Sequence, residues 1–131
     1  MLSTNRSGAQ RVVVVDDDEP FLALVQDILE DEDYQVTTFT EINGAYQAIR
    51  AQPPDLIVTD LLFANTLDGL DLLTRLWLSK ATRPIPVLVC SAATSHLQSM
   101  RAEFERKGIG VLYKPFELQD LLDSVRGLTA S

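Results

Sequence analysis

The chain has 131 residues, of which 46% are hydrophobic and 23% are charged, and its formal net charge is −8. This length fits one domain with its own core. The negative charge argues against a nucleic-acid surface, because phosphate contacts need basic side chains. No apolar run approaches the roughly 20 residues that cross a membrane. A single cysteine, Cys90, excludes an internal disulfide and suits a reducing compartment, so we expect a cytoplasmic location.

The two ends of the chain differ in composition from its middle. The first ten residues are polar and lack the apolar stretch of a signal peptide. We interpret residues 1–10 as a flexible leader, residues 11–127 as one domain, and residues 128–131 as a C-terminal tail or the start of a linker.

Strand-like apolar runs alternate five times with helical patterns. The first run contains four valines in succession, which is typical of a strand buried on both faces. We expect Thr40 to cap the second helix, Gly108 to close the fourth and Gly127 to follow the fifth. One apolar stripe, Leu97, Met100 and Phe104, defines the fourth helix. The predicted strands cover residues 11–16, 35–39, 56–60, 86–90 and 111–113.

Strict alternation of strands and helices predicts an α/β fold with a parallel sheet covered on both faces. Because crossovers are right-handed, few topologies remain. We expect a flavodoxin-like (βα)5 three-layer sandwich with the five strands in the order 2-1-3-4-5. This order places the switch point, where ligands bind, between strands one and three.

Acidic residues follow the first and third strands. Asp16, Asp17 and Asp18 come directly after the valines, and Asp60 ends the third strand. Clustered carboxylates repel one another and resist desolvation, so a divalent cation with oxygen ligands, such as Mg²⁺, is a natural partner. A simpler interpretation is that these acids begin the next helix, and Asp18 fits it well.

Two further strands end in polar residues at the same predicted edge. The fourth strand leads into Ser91, and the fifth leads into Lys114. A capping serine or a solvated lysine is common by itself. Because four successive strand ends deliver carboxylates, a hydroxyl and an ammonium to one edge, we predict a functional site there.

These residues are where the chain resembles response-regulator receiver domains of two-component, chemotaxis-regulator-like signalling proteins. The resemblance extends over residues 11–127. It is carried by Val14-Val15-Asp16-Asp17, by Asp55-Leu56-Ile57-Val58-Thr59-Asp60, by Asp68-Gly69, by Pro86-Val87-Leu88-Val89-Cys90-Ser91-Ala92 and by Lys114-Pro115-Phe116.

The resemblance implies a phosphoacceptor signalling domain rather than an enzyme. Asp60 would accept a phosphoryl group from the phosphohistidine of a sensor histidine kinase or phosphotransfer protein. Asp16, Asp17, Asp60 and the backbone carbonyl of Leu62 would hold Mg²⁺. The only histidine, His96, lies in the fourth helical pattern, so we expect it on the surface and the donor histidine on another protein.

The resemblance also assigns roles after phosphoryl transfer. Ser91 would bond a phosphoryl oxygen, Lys114 would pair with the acyl phosphate, and the Lys114–Pro115 peptide would be cis. An output protein or domain would bind the face formed by the fourth helix, fifth strand and fifth helix. The resemblance allows a homodimer and gives no direct contact with nucleic acid or membrane.

Two positions depart from the family pattern. Ala64 stands four residues after Asp60, where receivers usually carry proline, and the loop to Gly69 is one residue longer than usual. Val111 occupies an atypical switch position, where receivers usually carry tyrosine or phenylalanine. Valine is too short and stiff to swing inward, so we expect phosphorylation to be signalled by loop and fourth-helix movement or by simple occupancy.

Two alternative functions remain open from the sequence. In a haloacid-dehalogenase-type phosphatase, Asp16 would be the nucleophile and Asp18 the acid/base. In a receiver-like interaction module, the site would be present but phosphorylation would be idle.

Overall fold

The computed structural model describes residues 9–130. Residues 1–8 of the expected leader and Ser131 of the expected tail lie outside this part. Five strands form one parallel sheet: β1 (Arg11–Val15), β2 (Gln35–Phe39), β3 (Leu56–Thr59), β4 (Val87–Ser91) and β5 (Gly110–Tyr113). Their order, β2-β1-β3-β4-β5, confirms the predicted topology. The predicted bounds differ by one residue at several ends, and Asp16 and Asp60 lie just beyond their strands.

The helices are α1 (Glu19–Asp31), α2 (Ile42–Ala51), α3 (Asp68–Leu78), α4 (Thr94–Ser99), α5 (Arg101–Arg106) and α6 (Leu118–Thr129). The single fourth helix that we predicted is wrong, because α4 and α5 meet at Met100 with φ −102° and ψ 4°. The Ser99 hydroxyl donates to the His96 carbonyl at 3.0 Å. Such back-bonding competes with the helical ladder and bends helices.

Alternate residues of β1 point into two separate cores, which makes the fold a three-layer sandwich. Val12 and Val14 pack with α1 and α6 on one face of the sheet. Val13 and Val15 pack with α2, α3 and α5 on the other. All four valines are at most 3% exposed, so the predicted burial on both faces is confirmed. Within residues 9–130, the helices are too short or too polar to cross a bilayer.

Several helix ends differ from expectation. Asp18 caps α1 by accepting from Phe21 N, as predicted. Thr40 does not cap α2, because Glu41 occupies the N-cap and makes no side-chain cap bond. Gly108, at φ +72°, follows α5 in the left-handed conformation that glycine adopts without a Cβ clash. The last helix continues past Gly127, and Thr129 bonds Tyr34 and Gln10, so two expected tail residues are helical.

Candidate functional site

Backbone hydrogen bonds extend the sheet one residue beyond its strands and thereby fix the site. Asp16 N donates to the Phe39 carbonyl at 3.0 Å, and Asp60 N donates to the Val15 carbonyl at 3.2 Å. On the other side of β4, Lys114 N donates to the Ser91 carbonyl at 2.9 Å. Asp16, Asp60 and Lys114, which follow three strands, and Ser91, which ends β4, therefore lie at one edge of the sheet.

Lys114 joins the two buried acids of this edge. Its Nζ lies 2.7 Å from Asp16 Oδ2 and 3.0 Å from Asp60 Oδ2. Asp16 is 1% exposed and Asp60 is 7% exposed. The peptide bond between Lys114 and Pro115 is cis. One ammonium thus offsets part of the negative charge of two carboxylates, which could not be desolvated together without a counter-charge.

A backbone amide also holds one oxygen of each carboxylate in the cleft. Asp18 N donates to Asp16 Oδ1 at 3.0 Å, and Leu62 N donates to Asp60 Oδ1 at 3.0 Å. The exposed Asp17 accepts on Oδ2 from Ala64 N at 2.7 Å. Charge-assisted bonds of this kind are stronger than neutral ones, so a backbone amide orients each carboxylate.

Burial and charge act in opposite directions on the buried pair. Desolvation raises the pKa of Asp16 above its ordinary value, and the hydrogen bond from Lys114 only partly opposes it. For Lys114, desolvation works to lower the pKa, but hydrogen bonds to Asp16 and Asp60 and their charges outweigh it, so the net pKa is raised. The ammonium form of Lys114 is therefore the one the site favours.

Four aspartates and Lys114 are among the residues that line one open cleft of about 340 Å³. Within the described residues, no three acidic, histidine or cysteine side chains converge on a single metal position. Mg²⁺ does not require such a convergence, because it keeps several waters and takes only one or two carboxylates from a protein. The oxygen donors of the cleft fit that ion. The lining consists of Asp16, Asp17, Asp18, Asp60, Leu62, Ala64, Asn65 and Lys114.

The other predicted site residues lie at different depths. Leu62 lines the cleft, and its amide is the group bonded to Asp60. Ser91 is fully buried, and its Oγ accepts from Ala93 N at 3.2 Å. Asp18 lines the rim, but its carboxylate caps α1. The simpler interpretation therefore holds for Asp18, while Asp16 and Asp17 face the cleft.

The switch position, Val111, lies in β5, an edge strand of the sheet. Val111 and Tyr113 both pack partly buried against the same core, as alternation along β5 predicts. With Ile109 and two charged residues of α5 they line a shallow groove of about 220 Å³.

His96 is exposed on α4, as predicted. Cys90 is buried, and desolvation raises its pKa to about 12, so it is an inert core thiol.

Two features of the site were missed by sequence reasoning. The long loop after β3 contains a two-residue hairpin turn, in which Ala64 and Asn65 have φ of +52° and +64° and Phe63 pairs with Thr66. Asn65 was the available signal, because asparagine tolerates this conformation. The second feature is Phe21, whose ring centroid lies 4.0 Å from Lys114 Nζ. The helical pattern of the sequence marks Phe21 only as an apolar residue of the first helix and does not predict its contact with Lys114.

Gly69 matters because the backbone of the phosphoacceptor candidate passes directly over it. A Cβ at Gly69 would lie 2.2 Å from the Asp60 carbonyl oxygen and 2.6 Å from Leu61 Cα. Its amide donates to the Leu61 carbonyl at 2.9 Å. Only a residue without a side chain allows α3 to start this close to the end of β3.

A sequence model of the response regulator receiver domain matches residues 12–126. The chain belongs to this family. Receiver domains are signalling domains of two-component systems, and this membership sets the phosphatase alternative aside.

Individual relatives agree with the family match. The nitrogen assimilation regulatory protein NtrX of Azorhizobium caulinodans is 32% identical over 115 residues, which are 87% of this chain and 25% of that protein. The HemR receiver domain of Leptospira biflexa superposes with a TM-score of 0.80 at 25% identity and covers 93% of this chain and 95% of that one. The chain spans between about a fifth and a half of the length of the first curated relatives it matches.

A second solved structure contains a metal ion. The receiver domain of the sensor histidine kinase PA1611 from Pseudomonas aeruginosa contains magnesium coordinated in its active site cleft. It superposes with a TM-score of 0.80 at 22% identity, covering 95% of this chain and 100% of that one. At this identity the similarity establishes the receiver fold alone.

Proposed function

We propose that Asp60 is the phosphoacceptor of this receiver domain and takes its phosphoryl group from a phosphohistidine of a sensor histidine kinase or phosphotransfer protein. The observation that carries the proposal is the position of Lys114, which donates to Asp60 and Asp16 at once. A cation held against both carboxylates is also placed to offset charge on an incoming phosphoryl group.

The proposed transfer exchanges one bond to phosphorus for another. A carboxylate oxygen of Asp60 forms a bond to phosphorus, the bond between phosphorus and the donor imidazole nitrogen breaks, and that nitrogen keeps the electron pair. Such transfers need mainly positioning and electrostatic stabilisation. Leu62 N and Lys114 Nζ each hold one oxygen of Asp60, and the cleft leaves the carboxylate accessible from one side.

We further propose that the transfer depends on Mg²⁺, held by Asp16, Asp17, Asp60 and the backbone carbonyl of Leu62. When bound, the ion would neutralise charge on the phosphoryl oxygens. Asp17 supports this role best, since it is exposed at the cleft and only one of its oxygens is bonded within residues 9–130. The magnesium in the PA1611 receiver domain makes this ion the first to test.

The phosphorylated form would be read through Ser91 and Lys114. Lys114 would pair with the acyl phosphate, and the Ser91 hydroxyl would leave Ala93 N to bond a phosphoryl oxygen. Since Val111 cannot swing as a tyrosine or phenylalanine would, the signal would pass through loop and α4 movement or through occupancy alone. An inward swing of Tyr113 seen in chemical shifts on phosphorylation would contradict this proposal.

The partners follow from the same assignment. The output protein or domain would bind the surface of α4, α5, β5 and α6, and a homodimer could use the same surface. We expect the domain to act in the cytoplasm, where histidine kinases expose their catalytic domains, without binding nucleic acid or membrane itself.

The test is phosphorylation by acetyl phosphate, a small acyl phosphate donor, followed by intact mass spectrometry. The wild-type domain with Mg²⁺ should gain the mass of one phosphoryl group, which hydroxylamine should remove. Asp60→Asn should gain none, whereas Asp27→Asn, at an exposed position of α1, should behave as wild type. Failure of the wild type to be labelled under these conditions would favour the idle interaction module.

A further inference from the structure

We propose that the backbone amide of Ala64 is a positioning group, which holds Asp17 for coordination through a single oxygen and so selects Mg²⁺ over Ca²⁺. This inference rests on the proposed function, because it assumes that Asp17 binds a metal. It concerns the one-residue-longer loop, which departs from the family pattern, rather than the residues that the family shares.

The amide is presented by the hairpin turn after β3. Phe63 and Thr66 exchange two backbone hydrogen bonds of 2.8 and 3.0 Å, and the Thr66 hydroxyl donates to the Phe63 carbonyl at 2.8 Å. Three bonds therefore close a turn whose two central residues, Ala64 and Asn65, both have positive φ. Positive φ at both central residues is the arrangement of a type I′ turn, whose twist matches that of the two segments it joins. Phe63 anchors the turn, since it is buried in the core.

The turn directs its first amide at one oxygen of Asp17. Ala64 N lies 2.7 Å from Asp17 Oδ2, although the two residues are 47 positions apart in the chain. Within residues 9–130, Asp17 Oδ1 accepts no hydrogen bond. The carboxylate is therefore held with one oxygen occupied and the other free at the cleft.

The consequence concerns the kind of metal that can bind. Mg²⁺ takes single carboxylate oxygens in a near-octahedral shell, whereas Ca²⁺ takes more ligands and often both oxygens of one carboxylate. An amide fixed to Oδ2 hinders two-oxygen coordination by Asp17 but not one-oxygen coordination. The amide thus favours the smaller ion.

The sequence difference at this position is what makes the bond available. A proline four residues after the acceptor, as receivers usually have, carries no N–H and cannot adopt a positive φ. Ala64 has the N–H, and the additional residue of the loop provides the second position of the turn. The alanine in place of proline and the additional loop residue therefore act together on Asp17, the proposed metal ligand.

The test removes the N–H alone. Replacing Ala64 by lactic acid through nonsense suppression (Ala64→lactic acid) changes the amide to an ester and keeps the methyl side chain. Ala81→lactic acid is the matched control, because Ala81 N is also exposed and donates to a side-chain oxygen, Ser79 Oγ, away from the cleft. Ala64→Gly is a second control that keeps the N–H. The Kd values for Mg²⁺ and Ca²⁺ alone are measured by NMR titration.

We expect Ala64→lactic acid to weaken Mg²⁺ binding about tenfold, the lower end of the effect of losing a hydrogen bond to a metal ligand. Ca²⁺ binding should stay unchanged or tighten, so the ratio of the two Kd values changes. Both controls should keep the wild-type ratio. An ester variant with the wild-type ratio would overturn the inference even if Mg²⁺ still supports phosphorylation of Asp60.

A measurement on the unmodified protein guards against an ester variant that does not fold. Hydrogen exchange of the Ala64 amide, measured without metal, should be slower in wild type than in Asp17→Ala, which has no side-chain acceptor, while the Ala81 amide exchanges equally in both. Equal exchange of the Ala64 amide would overturn the inference. Wild-type protein that neither binds Mg²⁺ nor accepts phosphate would instead refute the proposed function itself.

Discussion

The ammonium group of Lys114 lies 2.7 Å from Asp16 Oδ2, although the two residues are 98 positions apart in the chain. The same nitrogen lies 3.0 Å from Asp60 Oδ2, 54 positions away. Without metal, the ammonium group of Lys114 therefore screens the repulsion between the carboxylates of Asp16 and Asp60. Lys114 is the counter-charge on which the buried acids depend before any cation binds.

Removing this ammonium should destabilise the domain. In Lys114→Met, Asp16 and Asp60 remain buried without their shared partner, and breaking a buried pair from one side costs about 3 kcal/mol or more. We expect a loss of this size in the free energy of unfolding by urea at neutral pH. Lys80→Met, at an exposed position, should lose almost nothing. Equal stability of the two variants would show that the Lys114 bridge contributes little.

The raised pKa of Asp16 predicts a pH dependence of stability. Because desolvation raises the pKa in the folded state, the group contributes stability below the ordinary value of 3.8, and this contribution is lost as pH rises through the folded pKa. Subtracting the unfolding free energy of Asp16→Asn from that of wild type should give a difference that falls as pH rises from below 3.8 toward neutral. Urea titrations at successive pH values measure it. A difference that rises over this range would contradict the direction of the shift.

Gly69 should tolerate no side chain. In Gly69→Ala the new methyl would meet the Asp60 carbonyl at 2.2 Å, so the backbone must move, at a cost of about 1–3 kcal/mol for overpacking. Labelling of Asp60 by acetyl phosphate should also slow, because the proposed acceptor shifts. Gly127→Ala is the matched control, since a Cβ there meets nothing within 4 Å and the residue lies inside α6. We expect that variant to gain about 0.5–1 kcal/mol from helix propensity.

Magnesium should stabilise the folded domain by ligand linkage. At a Mg²⁺ concentration about 100-fold above its Kd, the free energy of unfolding should rise by about 2.7 kcal/mol. The increase should disappear in Asp17→Asn and persist in Asp18→Asn, because Asp18 caps α1. Thermal melts over a Mg²⁺ series measure the effect. Melts of the wild type that do not respond to Mg²⁺ would contradict the proposed metal site.

Local pattern accounts for most of the fold but not for the shape of every element. The four valines of β1 and the alternation of strands with helices were enough to predict the sheet and its order. The break at Met100 was not predicted, because the apolar stripe of Leu97, Met100 and Phe104 continues across it. The Ser99 hydroxyl donates to the His96 carbonyl next to this break. Because glycine has a low helix propensity, the sequence predicted that the last helix ends before Gly127. The helix continues because Leu128, the next residue, packs against the core.

The sequence alone determined that acids, a hydroxyl and a lysine follow strands that share one edge, because strand periodicity and right-handed crossovers leave few arrangements. Only the tertiary structure decided which oxygen meets which donor: Lys114 with Asp16 and Asp60, and the Ala64 amide with Asp17. The physical reason is distance along the chain. The periodicity of apolar residues predicts whether a residue is buried from residues near it in the sequence. A hydrogen bond across 47 or 98 positions depends instead on how the whole sheet and its loops pack.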